Sequence, residues 1–281
     1  MPKVHITADS ACDLSPELCE RYHIHIAPLH VSYEGKTGLD GVDVTASELF
    51  ASFYRTGELP KTAAVSPAEF ESFFREVKGE GEEIVHLSIS SEFSSCHQNA
   101  MIAAAEVGGV YCVDSRNLSS GIALLVLKAA DFAAEGLSAA EIAERLCALT
   151  PKVDASFVLD TLSFLRAGGR CSSLASLGAS VLSIKPSILV SDGKMHVGKK
   201  YMATLVKAQQ KYLADRIAGV NPDRTRVFVT HTAESDPKLI EVLIGMVRET
   251  GLFDEILEGV AGATISSHCG PNCMGVLFIH Q

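Results

Sequence analysis

One unit recurs three times along this chain and restricts the fold more than any other feature: a short apolar strand, a polar loop, then a helix. Val4 to Ala8 alternates as a strand and runs into Asp9-Ser10-Ala11-Cys12-Asp13, after which Ser15-Pro16 opens a helix with proline at its first position. Ile84 to Leu87 reads as a buried strand, followed by a serine-rich loop from Ser88 and a helix from Asn99 to Val107. Val110 to Val113 is the third strand, and Asp114-Ser115 and Ser119-Ser120-Gly121 lead from it into an apolar helix, Ile122 to about Ala134. Such repetition predicts a mostly parallel sheet with helices on both faces and loops gathered at the carboxyl ends of its strands. Ligands of such sheets sit in that crevice.

Between these units Ile24 to Tyr33 alternates as a further strand, and Thr45-x-x-Glu48, Ser66-x-x-Glu69 and Ser138-x-x-Glu141 are capping boxes that start helices. The second half has a different grammar. Ser156 to Leu159 is a strand, Gly168-Gly169-Arg170 a tight turn, and about Ser173 to Leu182 a small-residue helix. Ser187 to Val190 and Lys194 to Val197 flank Ser191-Asp192-Gly193 as a hairpin. Helices from about Ala203 to Ala218 and Pro237 to Glu249, with strands Val227 to Thr230, Glu255 to Val260 and Val276 to His280, complete an α/β layer. The expected fold class is therefore α/β in two domains. Residues 1–153 form one with a mostly parallel sheet flanked by helices, and 154–281 the other with a mixed sheet, dividing near Thr150-Pro151.

Hydrophobic residues make up 47% of the 281 positions, enough for a full core. The formal charge of −10 lacks the Lys/Arg stripes that phosphate backbones or anionic membranes reward, so no nucleic-acid partner is expected and at most transient membrane contact. Met1 to Asp9 reads as a strand rather than a secretion signal, and the longest apolar runs are too short to span a bilayer, pointing to the cytoplasm. Eight irregularly spaced cysteines then read as reduced thiols.

The serine-rich loop is the strongest candidate for chemistry. A helix start offers unpaired backbone N–H groups and positive dipole, and Ser90, Ser91, Ser94 and Ser95 can add hydroxyl donors; the alternative is that they only cap the helix. Gly57 to Thr62 lacks the glycine that a phosphate-binding loop needs before Lys-Thr, and neither G-x-G-x-x-G nor G-x-S-x-G follows a strand. His268-Cys269-Gly270-Pro271-Asn272-Cys273 has three residues between its cysteines rather than two and no second pair at zinc spacing, so no metal is expected and a turn with backbone close to a ligand fits better. Arg170 is either a carboxylate-paired surface residue or a cation at a site, and Asp114 and His231 either line the crevice or cap backbone.

Several segments together resemble the DegV family of bacterial fatty-acid-binding proteins, nearly end to end. They are Asp9-Ser10-Ala11-Cys12-Asp13-Leu14, Pro60 to Pro67, Ser90 to Gln98, Asp114-Ser115 with Ser119 and Gly121, Leu159 to Leu162 with Gly168-Gly169-Arg170, Lys185-Pro186, and His268-Cys269-Gly270-Pro271. The resemblance implies two α/β domains with a ligand cleft between them, closing on a long-chain fatty acid whose tail lies in an apolar tunnel. By motif position Thr62 and Ser94 would hold the carboxylate, with His268 nearby and Arg170 at the mouth; Ser95, Cys96 and Ser119 are secondary candidates. It further implies a carrier with no catalysis or cofactor of its own, presenting the acid to a separate ATP-dependent fatty acid kinase subunit. Ser95, Cys96 and His97 stand where the family usually has glycine, threonine and tyrosine. Two rivals remain at this level: a Ser/His hydrolase built on Ser94 with His97 or His268 and Asp114, and a binding protein for a small polar anion.

Overall fold

The computed structural model describes residues 2–172 and 184–281, so the helix expected over Ser173 to Leu182 lies outside the described residues. Strands β1 (Val4–Asp9), β2 (Ile24–Ala27), β6 (Glu83–Ser88) and β7 (Val110–Asp114) form a wholly parallel sheet in the order β2-β1-β6-β7. The three repeated units are there: β1 leads to α1 (Pro16–Tyr22), β6 to α4 (Cys96–Val107) and β7 to α5 (Ser120–Ala134). All three capping boxes close as read, starting α2 (Ala46–Thr56), α3 (Pro67–Val77) and α6 (Ala139–Leu149). On α3 the spacing of Phe70 and Phe74 buries both rings completely.

The single strand expected from Ile24 to Tyr33 is two strands in two sheets. Pro28 carries no backbone N–H and cannot continue the ladder, so β2 ends at Ala27. The chain then turns into β3 (His30–Tyr33), which joins β4 (Lys36–Leu39) and β5 (Lys61–Ala63) in a separate antiparallel sheet that sequence reasoning did not anticipate.

The remaining strands make a mixed six-stranded sheet, β10-β9-β8-β13-β11-β12. Its members are β8 (Val153–Val158), β9 (Lys185–Ser191), β10 (Lys194–Tyr201), β11 (Pro222–His231), β12 (Glu255–Val260) and β13 (Met274–His280), with only β11 and β12 running parallel. Helices α8 (Leu205–Ile217) and α9 (Pro237–Glu249) pack against this sheet. Two short helices, α7 (Ser163–Gly168) and α10 (Ala263–Cys269), pack against each other.

Helix α5 ties the two large sheets together. It is buried on almost every side from Ser120 to Leu127 and touches β1 and β6 of the parallel sheet as well as β8, β11 and β13 of the mixed one. An all-round apolar helix is stable only when enclosed, and each large side chain so buried contributes about 1.5–3 kcal/mol. No helix among the described residues is long and apolar enough to cross a membrane.

Candidate binding site between the sheets

The site is built around α10, whose first backbone N–H groups need acceptors. Two carboxylates supply them. Gly262 N donates to Asp13 Oδ1 at 2.9 Å and Ala263 N to Asp40 Oδ1 at 2.8 Å. Ser119 Oγ donates to the other oxygen of Asp13, and Ser10 Oγ to the other oxygen of Asp40 at 2.9 Å. A side chain on Gly262 would put its β-carbon 3.1 Å and 3.2 Å from the two carboxylates, so little but glycine fits between them. Burial pushes Asp13 well above the usual carboxylate range, against the hydrogen bonds from Ser119 and Gly262. Asp9, one strand end away, is pushed by burial to about 7 although Ile89 N donates to it at 2.8 Å.

At the other end of α10, His268 meets Thr62. Strand β5 pairs with β3, register Val31 to Thr62, and this sets the threonine so that its Oγ1 lies 2.8 Å from His268 Nε2 across 206 residues of sequence. Enclosure, and secondly the charge of Arg170, lower His268 to about 4, so the imidazole is neutral at pH 7. Its Nδ1 is buried without a partner among the described residues and faces Gly168, where a β-carbon would stand 2.2 Å away.

Of its four candidate serines the serine-rich loop brings one to the cavity. Ser94 lines the cavity; its Oγ accepts from Cys96 N at 3.3 Å and donates to Cys96 Sγ at 3.3 Å. Ser90 is buried and donates to Gly193 O at 2.8 Å, holding the β9–β10 turn, while Ser91 is exposed and its N–H bonds Asp114. Ser95 is exposed at the helix start, and Cys96 is buried with its thiol pushed up to about 12 by desolvation, so neither reaches the cavity. Ser119 borders a neighbouring chamber with its hydroxyl committed to Asp13.

The cavity measures about 60 Å³ and is lined by Thr62, Ser94, Arg170, Thr264 and His268 among apolar walls that include Phe93 and Met195. Arg170 donates to Gly168 O at 2.6 Å and Phe93 O at 3.4 Å, so its guanidinium is anchored on backbone at the rim. A second, mostly apolar chamber of about 30 Å³ shares the walls Leu118, Ile265 and Cys269. Of the apolar tunnel implied by the resemblance, the described residues show these two small chambers. A roomier depression, about 850 Å³, lies beside edge strand β2, around His5, His23 and His25. No group of three or more metal-type side chains converges among the described residues, and Cys269 and Cys273 are buried and hydrogen-bonded to each other. His231 caps its own strand end, bonding Thr232 O and Glu258 at 3.0 Å each.

Sequence reasoning missed Asp40 and Thr264, and it read Gly168 as part of a tight turn without its contact with His268. Thr264 sits four residues before His268, one helical turn, but α10 has only seven residues, mostly small, and shows no amphipathic pattern.

A cavity at the junction of a parallel and a mixed sheet, lined by hydroxyls and a neutral imidazole, belongs to an α/β protein of two large sheets and one small antiparallel sheet. The family model described as "uncharacterised protein, DegV family" matches residues 3–281, and the chain belongs to that family. A DegV domain-containing protein of Caldanaerobacter subterraneus is 30% identical over 285 residues, covering 99% of each chain. Among solved structures, a DegV family protein from Thermus thermophilus described for its fatty acid binding superposes with TM-score 0.88 at 27% identity, over 99% of this chain and 100% of that one. A stearic-acid-binding protein from Eubacterium ventriosum gives TM-score 0.84 at 27% identity, over 100% and 98%. The fatty acid kinase B3 protein of Streptococcus pneumoniae, loaded with linoleic acid, shares the fold with TM-score 0.85 at 21% identity, over the full length of both chains.

Proposed function

We propose that this protein is a carrier for a long-chain fatty acid, which it holds by the carboxylate at Thr62, Ser94 and His268 and presents, past Arg170, to a separate kinase subunit that makes the acyl phosphate. The observation that carries the reading is the Thr62–His268 hydrogen bond inside a cavity with apolar walls that Ser94, Thr264 and Arg170 also line. With its proton on Nε2, the neutral imidazole donates to Thr62 Oγ1, and the threonine hydroxyl hydrogen is free to turn to a carboxylate oxygen. Ser94 offers a second hydroxyl. The fatty acids bound by the relatives from Thermus and Eubacterium support the ligand class, and the pneumococcal kinase B3 protein supports the partner.

The energies have the right order. A sixteen-carbon tail offers on the order of 10 kcal/mol at about 0.8 kcal/mol per buried methylene, before association costs. Each charge-assisted bond to the head group adds about 1.5–3 kcal/mol and penalises neutral lipids. The chambers fall far below the roughly 300–1,000 Å³ of ordinary ligand sites, so the tail enters by repacking Leu118, Ile265 and the adaptable Met195. The hydrolase rival needs the Ser94 hydroxyl itself bonded to His97 or His268, and Ser94 is instead bonded to Cys96, while His268 is bonded to Thr62. Mass spectrometry of lipid extracted from the purified protein tests the proposal: a long-chain fatty acid is expected, and a polar anion or an empty protein that ignores added fatty acid counts against it.

A further inference from the structure

Resting on the carrier reading, we infer that Thr264 is a ligand-contacting residue of the same cavity and selects acyl chains with a hydroxyl near the carboxylate, the 3-hydroxy fatty acids. Its side chain is 3% exposed, it lines the cavity with Thr62 and His268, and its Oγ1 is buried without a hydrogen-bond partner among the described residues. Buried hydroxyls nearly always find partners, and on a helix the preceding turn offers carbonyls. The neighbours of Thr264 use them: Ser266 Oγ donates to Ala261 O at 3.1 Å and Ser267 Oγ to Ala263 O at 2.7 Å. Thr264 does not.

The position of this free hydroxyl decides what it can meet. Thr264 and His268 are four residues apart on one helical face, separated by about 6 Å of rise. A carboxylate gripped at Thr62 and His268 therefore brings the first few carbons of its chain past Thr264. Plain methylenes there leave the hydroxyl unpaired in an apolar wall, whereas a chain hydroxyl, both donor and acceptor, satisfies it.

The test compares palmitate with 3-hydroxypalmitate on the wild type, Thr264→Val and Thr264→Ser, by displacement of a fluorescent fatty acid. The wild type is expected to bind the hydroxy acid about fivefold more tightly, the net worth of one hydrogen bond. Valine keeps the shape and should abolish the difference between the two affinities; serine should restore the preference. Equal wild-type affinities, or a valine variant that weakens both acids alike, would overturn the assignment to Thr264. If neither acid binds the wild type, the carrier reading itself falls and this inference with it.

Discussion

Gly168 lies against the imidazole of His268 so closely that a β-carbon there would stand 2.2 Å from Nδ1. The ring keeps its Nε2 on Thr62 because nothing pushes from behind. Gly168→Ala must displace either the ring or α7, and overpacking of this kind costs about 1–3 kcal/mol. The expected result is a modest fall in melting temperature together with a loss of fatty-acid affinity of tenfold or more in a displacement titration. Unchanged affinity would show that the ring's position does not govern the site.

Removing the hydroxyls tests the grip directly. Thr62→Ala and Ser94→Ala each delete one of the donors proposed for the carboxylate, and each loss should cost about 1.5–3 kcal/mol, or roughly ten- to a hundredfold in affinity. The double variant gives up the long bond from Cys96 N at the start of α4 but leaves the helix ladder and the β3–β5 pairing in place, so it should still fold and should leave purification with little bound lipid. Full lipid occupancy by mass spectrometry would remove both residues from the head-group site.

His268 sets one pH dependence. Its folded value of about 4 lies below the ordinary 6.5, so the unfolded chain takes up the proton first. Stability of the ligand-free protein is then whole above about 6.5 and declines as the pH falls towards 4. His268→Asn should flatten that decline in urea denaturation between pH 4 and 7, and an unaltered profile would contradict the burial of a neutral ring.

Asp9 works in the opposite sense. Burial raises it from 3.8 to about 7, so the folded state holds the proton more tightly, and the associated stability is whole below about 4 and lost as the pH rises to 7. Asp9→Asn keeps an oxygen for Ile89 N and has no charge to bury. The variant should gain stability relative to the wild type at pH 8 and not at pH 4; the same difference at both would sink the assignment.

Asp40 holds the start of α10. Asp40→Ala strands Ala263 N and the Ser10 hydroxyl, at a cost of about 1–3 kcal/mol, whereas Asp40→Asn retains an acceptor and should cost clearly less. Chemical denaturation of the two variants reads this difference directly.

How far the sequence was legible follows from which interactions are local. The capping boxes at Thr45, Ser66 and Ser138 and the three strand–loop–helix units depend on neighbours in sequence, and all were readable. The break at Pro28 was readable in principle, but the alternation of Ile24 to Tyr33 outweighed it. Thr62 and His268, placed near each other by the family resemblance, do meet; their contact spans 206 residues and no local pattern encodes it. Ser95 and Cys96 share the serine-rich composition of Ser94, yet the turn into α4 sends only Ser94 inward. Gly168, Asp40 and Thr264 matter through packing partners far away in the chain, where composition is silent.

Because α5 is held by strands of both large sheets, parting those layers would uncover an almost wholly apolar helix. Prying the layers apart would strip that helix and cost most of the molecule's cohesion. On the carrier proposal, entry that leaves this helix packed runs through rearrangement of the side chains that line the cavity among the described residues.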